Sequence, residues 1–185
     1  IWKMLLVMLI GYTILPVPLS LDIRGWQEMH PLNSVGWSLF FEYIANILYA
    51  IGIRKLSKTA LSILVIITAL ALAHLAITSP NGDVSGGWTL NVEQVRIGIT
   101  RTMSPFFAGL LLSRITNPSR IRHAFLYCSI LIAIVLYMPR IGGADQLWLN
   151  GIYESVCIII VFPLIVYLGT SNISSSRIEN KLCKF

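Results

Sequence analysis

The sequence predicts an all-α fold, a polytopic transmembrane bundle of about six helices, and three observations predict it. Hydrophobic residues make up 56% of the 185 positions and charged residues only 12%. A water-soluble domain carries roughly 25% charged residues, so this chain lacks the charge to cover a water-facing surface. The apolar residues gather into runs close to the ~20 needed to cross a bilayer, and the mean hydropathy is +0.76. Lys and Arg fall between those runs in alternating density. Ten of the 14 sit on one set of connections and the remaining four on the other. Positive charge concentrated on one side marks the cytoplasmic face.

The first apolar run, Ile1 to Leu15, ends at Pro16-Val17-Pro18, because proline cannot continue the helical hydrogen-bond ladder. A loop with Asp22, Arg24, Trp26, Glu28, His30 and Pro31 follows. A second helix is expected from near Ser34 to about Ile53, closed by the basic turn Arg54, Lys55, Lys58. A third is expected over Thr59–Thr78. The Ser79–Leu90 loop contains Pro80-Asn81-Gly82-Asp83 and Gly86-Gly87, which are turn formers. The fourth helix, Val92–Ile115, is the least apolar, with Arg96 and Arg101 in its first half and Pro105 expected to kink it. Arg114, Asn117-Pro118, Arg120 and Arg122 make a second basic turn. A fifth helix is expected over His123–Met138. After a loop opened by Pro139, Arg140, Gly142 and Gly143, a sixth is expected over Trp148–Leu168, with Pro163 inside. The tail from Gly169 to Phe185 is Ser-rich and then basic. Trp26, Trp37, Trp88 and Trp148 fall near the outer helix ends, the level that amphipathic rings favour.

The net charge of +6 does not point to nucleic acid, since the basic residues are dispersed in short turns. Cys128, Cys157 and Cys183 form no CxxC or Cys/His cluster, so no metal site is expected and two of the three read as small buried hydrophobes. No HExxH, GxSxG or P-loop pattern is present, which removes support for zinc proteolysis, hydrolase-elbow chemistry and Walker-type nucleotide binding. The chain starts at Ile1 inside an apolar run and stops at Phe185 just after a polar stretch. It reads as an internal part of a longer protein.

Ionisable groups inside a membrane are costly and face a cavity or a partner. Glu42 lies about two turns into the second helix, with Ser38 and Asn46 at i−4 and i+4, so the three share one polar face. That face reads either as a wall of a substrate cavity or as one half of a helix-joining ion pair. Arg101, two turns into the fourth helix, cannot shed its charge and needs a carboxylate, a phosphate or carbonyls; Glu42 on a facing helix is the expected partner, directly or through a water, and an anionic substrate such as a phosphate is the alternative. Arg96 is expected to snorkel to the interface and Glu154 to stay in outer water. His30 reads as a solvated loop residue, His74 as a helix residue satisfied by a neighbouring carbonyl, and His123 as cytoplasmic.

The run Pro31-Leu32-Asn33-Ser34-Val35-Gly36-Trp37-Ser38-Leu39-Phe40-Phe41-Glu42-Tyr43 resembles the membrane-bound acyltransferase 3 family, in which a helix opens with a phrase close to N-x-x-x-W-S-L-x-x-E. Arg101-Thr102-Met103-Ser104-Pro105-Phe106-Phe107-Ala108-Gly109 resembles a later helix of that family, where an arginine precedes a Phe-rich, Gly-containing stretch. The resemblance implies that residues 1–185 are part of a single integral-membrane acyltransferase domain of a bacterial cytoplasmic-membrane protein. It implies transfer of an acyl group, often acetyl from acetyl-CoA, to a sugar hydroxyl of an envelope or exported glycan, with acyl-CoA as donor substrate and no bound cofactor. Membrane lipid, a glycan acceptor and acyl-CoA are the expected partners. Carried over by motif, Trp37, Ser38, Glu42, Asn46 and Arg101 would shape the cavity and bind substrate. The family's catalytic histidine, expected in an R-x10-H pattern on a first helix, has no counterpart here, since no arginine is followed by a histidine 11 positions later. The chain alone is therefore expected to be inactive. A transporter or flippase for a glycan or lipid-linked sugar is the second reading, with Pro105 and Pro163 marking broken helices at a midplane site.

Overall fold

The computed structural model describes residues 1–116, 121–140 and 144–170. All regular structure among these is helical, in the order α1 (Trp2–Gly11), α2 (Gly36–Ile51), α3 (Lys58–Thr78), α4 (Val92–Ile115), α5 (Ala124–Tyr137) and α6 (Leu147–Gly169). Short polar side chains set several starts. Ser57 Oγ accepts the Ala60 amide at 3.1 Å ahead of α3, and Asn91 Oδ1 accepts the Gln94 amide at 2.7 Å ahead of α4. These N-caps satisfy amides that have no partner within the helix.

The two prolines behave differently. α4 runs unbroken through Pro105. In α6 the turn before Pro163 widens into a π-helix over Cys157–Val161, and regular α-helix resumes at Phe162–Gly169. A proline ring cannot donate to, and collides with, the carbonyl four residues back. The wide turn places that break in the ladder just before Pro163, at the start of the resumed segment.

α3 packs against α4 and α6, α4 against α2, and α5 against the second half of α6. Ala45, Leu61, Met103 and Phe107 form a buried cluster joining α2, α3 and α4. Leu72 and Ala76 of α3 form a second with Val84, against Ile158 and Ile159. Gly151 lets α6 lie directly on the Ala76 carbonyl; a methyl there would overlap that backbone.

Two helices, α3 and α6, are long and apolar enough to cross a membrane. Only 22% and 17% of their most apolar windows is buried within the bundle. Ile63, Ile66, Ile67 and Leu70 of α3 all face outward. So much exposed apolar surface on one helix is covered by lipid or by other protein, not by water.

At one end of the bundle the 12–35 segment and the 79–91 loop are knitted together. The Met29 amide donates to Trp88 O and the Val17 amide to Met29 O, each at 2.8 Å. Asp22 organises the first of these segments by accepting the amides of Gln27, Arg24 and Gly25 at 2.9–3.0 Å. The Gln27 and Arg24 amides hold its carboxyl below the usual aspartate range. At the other end Arg114 closes the turn after α2, donating to the carbonyls of Leu56, Arg54 and Ile53 at 2.6, 3.1 and 3.4 Å. The expected basic-turn residues Asn117, Pro118 and Arg120, the loop glycines Gly142 and Gly143, and the tail with Arg177, Lys181, Cys183 and Lys184 lie outside the described residues.

Three expectations are corrected. His30 is buried, 6% exposed, and its Nε2 donates to Ile14 O at 3.0 Å. It fits because Gly36 has no side chain where the imidazole lies, a methyl there falling 3.0 Å from Cγ. Glu154 is half-buried and accepts the Val84 amide at 2.9 Å, so it anchors the 79–91 loop instead of sitting in water. His74 is exposed on α3 and is not tucked against a carbonyl.

Candidate functional site

α2 and α4 enclose a cavity of about 430 Å³ lined by Trp37, Glu42, Asn46, Arg101, Thr102, Pro105 and Phe106. Helix geometry explains the lining. Glu42 and Asn46 are four residues apart on α2, as are Arg101 and Pro105, and Thr102 and Phe106, on α4. Residues at i and i+4 stack on one face, so each helix offers a stripe to the space between them. Ala45 and Phe107, the sequence neighbours of Asn46 and Phe106, are buried in the core cluster between the helices.

Arg101 is the most constrained polar group in the wall. Its Nη1 donates to Gly86 O at 2.7 Å, and its guanidinium lies 5.0 Å from the centre of the Trp37 ring. The ring is itself held edge-on by Phe41 at 6.4 Å and Trp88 at 6.5 Å. The backbone reaches Arg101 because residues 86 and 87 are glycines. Their φ values are +136° and +103°, a region that side chains oppose. A methyl on Gly87 would meet Gly98 Cα at 2.9 Å and the Trp37 ring at 3.0 Å. Gln94 Oε1 accepts the Gly87 amide at 2.6 Å, fixing the loop about two turns along α4 from Arg101.

Glu42 and Arg101 line this cavity from facing helices, as expected, but they make no direct ion pair, which corrects that part of the expectation. The ion pairs among the described residues are Arg24–Glu28 and Arg140–Asp83. Glu42 lines the cavity with no partner for its carboxylate among the described residues, while Asn46 Nδ2 donates to the Glu42 backbone carbonyl at 2.8 Å. The cavity thus offers a carboxylate, a side-chain amide, a threonine hydroxyl and a guanidinium, beside Trp37 and Phe106.

Of the five residues singled out by motif, Trp37, Glu42, Asn46 and Arg101 line this space. Ser38 does not; its hydroxyl donates to Val35 O at 3.1 Å and helps close the first turn of α2. Gly86, Gly87, Gln94 and Thr102 were not singled out. The one sequence signal for them was the Gly86-Gly87 pair, which reads as a generic turn until its contact with Gly98 is known. A second, outward crevice of about 260 Å³ is lined by residues that include Asp83, Arg140, Asn150, Tyr153 and Glu154. Arg140 Nη2 donates to Asp83 at 2.7 Å and to Asn81 O at 3.0 Å across it.

Among the described residues the structure is thus all-helical, with two helices long and apolar enough to cross a membrane and a polar cavity walled by Arg101 between two others. The chain belongs to the Acyl_transf_3 family, whose model, described as an acyltransferase domain, matches residues 1–185. Members are in general membrane-associated acyltransferases. No curated protein and no solved structure matches the chain.

Proposed function

We propose that this protein is a multi-pass bacterial cytoplasmic-membrane O-acetyltransferase, moving an acyl group from acyl-CoA to a sugar hydroxyl of an envelope or exported glycan. The single observation that carries this reading is the convergence of Trp37, Glu42, Asn46 and Arg101 on one cavity within the acyltransferase domain of its family. In the transfer, the sugar oxygen attacks the thioester carbonyl carbon and its proton passes to a base. The tetrahedral intermediate then expels CoA as the thiol. The carbonyl oxygen gains charge on the way, so donors aimed at it stabilise the transition state. Arg101 is the one cationic side chain in the cavity wall, and only its Nη1 is committed, to Gly86 O. Its remaining N–H groups serve the thioester oxygen or a donor phosphate. Glu42 and Asn46 suit sugar hydroxyls, which need acceptors as well as donors.

The test is incorporation of radiolabelled acetate into cell-envelope polysaccharide by cells carrying the full-length protein. Loss of one oxyanion donor typically costs about 10²–10³ in turnover, so Arg101→Ala at equal folded amount is expected to lose most incorporation, and Ser38→Ala to keep it. Full incorporation by Arg101→Ala overturns the assignment of the cavity. Absence of acetyl incorporation by the unaltered protein into any glycan overturns the reaction and favours glycan transport.

A further inference from the structure

The Gly86 carbonyl and the Gly87 amide belong to one peptide unit, and α4 grips that unit at both ends. Gln94 Oε1 accepts the Gly87 N–H at 2.6 Å, and Arg101 Nη1 donates to Gly86 O at 2.7 Å. Across a trans peptide these two groups point in opposite directions, so the two side chains of α4 act on it as a pair. Gln94, Gly98 and Arg101 stand at i, i+4 and i+7, one stripe about two turns long. Gly98 leaves the middle of the stripe bare, and Gly87 lies against it; a methyl on Gly87 would fall 3.2 Å from the Gly98 nitrogen. All three glycines are buried.

Local sterics do not fix the orientation of this peptide. Adjacent glycines at φ +136° and +103° turn without the restriction that a side chain imposes. A half-turn of the unit would aim its N–H at the guanidinium, donor against donor. The acceptor on Gln94 opposes that turn. It also polarises the unit, because an N–H that donates makes its own carbonyl a better acceptor, here for Arg101. Gln94 stands three residues after the N-cap Asn91, the place from which a glutamine can reach back to the N-cap amide. Its oxygen goes to Gly87 instead.

We propose that Gln94 is a positioning residue for Arg101. It holds the Gly86-Gly87 peptide with the carbonyl toward the guanidinium. That carbonyl, with the Trp37 ring 5.0 Å away, fixes where the remaining N–H groups of Arg101 stand in the cavity. Gln94 lies outside the cavity lining and acts through the peptide alone. Its effect on turnover rests on the transfer proposed above; its effect on Arg101 does not.

The test compares two variants of the full-length protein. Gln94→Met keeps the length of the side chain and removes the acceptor, whereas Gln94→Glu keeps both. Arg101 is probed by the rate of its modification with phenylglyoxal in detergent micelles, mapped by peptide mass spectrometry. One lost neutral hydrogen bond corresponds to about a two- to tenfold change. Gln94→Met should speed Arg101 modification and hydrogen exchange at the Gly87 amide by about that factor, and Gln94→Glu should leave both as they are. Exchange at the Val84 amide, held by Glu154, and modification of Arg114, tied at the other end of the bundle, should not change, which separates positioning from a loosened loop or fold. In the acetate-incorporation assay Gln94→Met should lose up to about 10²-fold, the scale of a misplaced group, Gln94→Glu should retain turnover, and Gln94→Met should add no loss to Arg101→Ala. Unchanged Arg101 modification in Gln94→Met, equal acceleration at Val84 and Arg114, or full turnover by Gln94→Met where Arg101→Ala has lost it, overturns the positioning role. Full turnover by Arg101→Ala overturns instead the reaction assigned to the cavity, and the modification rates judge Gln94 by themselves.

Discussion

The contact between Arg101 and Trp37 can be measured directly. In the structure Arg101 is tied by a 2.7 Å bond to Gly86 O and by its stack 5.0 Å from the Trp37 ring centre. A hydrogen bond from a charged donor contributes about 1.5–3 kcal/mol. A cation over an indole contributes from about 0.5–1 kcal/mol in water to about 2 when desolvated. Arg101 is half-buried, so Arg101→Ala is expected to destabilise by about 2–4 kcal/mol. The share due to Trp37 is isolated by a double-mutant cycle of Arg101→Ala with Trp37→Leu, read by reversible denaturant unfolding in detergent micelles. The expected coupling is about 0.5–2 kcal/mol. The companion cycle with Glu42→Ala should couple by less than about 0.5 kcal/mol, the scatter of independent sites, because Glu42 makes no ion pair with Arg101. A Glu42 cost of about 3–5 kcal/mol, the signature of a broken buried pair, or a Trp37 coupling near zero, would refute this account of what holds the guanidinium.

Gly151→Ala should destabilise by about 1–3 kcal/mol, because the methyl overlaps the Ala76 carbonyl, a backbone atom that cannot rotate away; an unchanged denaturation midpoint would refute the close approach of α3 and α6. Asp22 predicts an acid effect. Its carboxyl is held below the usual value of 3.8, so its contribution is fully present above that value and is lost as pH falls through the lowered one. Hydrogen exchange at Gly25 and Gln27, corrected for intrinsic rates, should lose protection in that acid window, and Asp22→Asn should remove the pH dependence while leaving weaker protection throughout.

How much of this was legible in the sequence depended on whether the determinant was local. Helix positions followed from apolar runs and punctuation, and α4 matches its expected Val92–Ile115 span residue for residue. α2 begins at Gly36 instead of near Ser34, because Asn33 and His30 close a turn first: the Gly36 amide donates to Asn33 O and the Asn33 amide to His30 O. The i, i+4 spacing was enough to put Glu42 and Asn46 on one face. It could not say what faced them. Chemistry alone offered Arg101 a carboxylate, a phosphate or carbonyls; the fold gave it a glycine carbonyl and an indole ring, because the Gly86-Gly87 backbone lies close against α4. His30 was unreadable for the same reason. Its burial depends on Gly36 and on a carbonyl 16 residues earlier, neither of which leaves a trace in local polarity.

The 79–91 loop is the element on which these features converge. The Val84 amide is held by Glu154 of α6, Asp83 by Arg140, Gly86 O by Arg101 and the Gly87 amide by Gln94 of α4. The same short backbone therefore forms one wall of the outward crevice and the roof over Arg101. Below the cavity the Ala45, Leu61, Met103 and Phe107 cluster closes the seam between α2, α3 and α4. For the transfer proposed above, that leaves Arg101 to be approached along the face that carries Glu42, Asn46, Thr102 and Phe106.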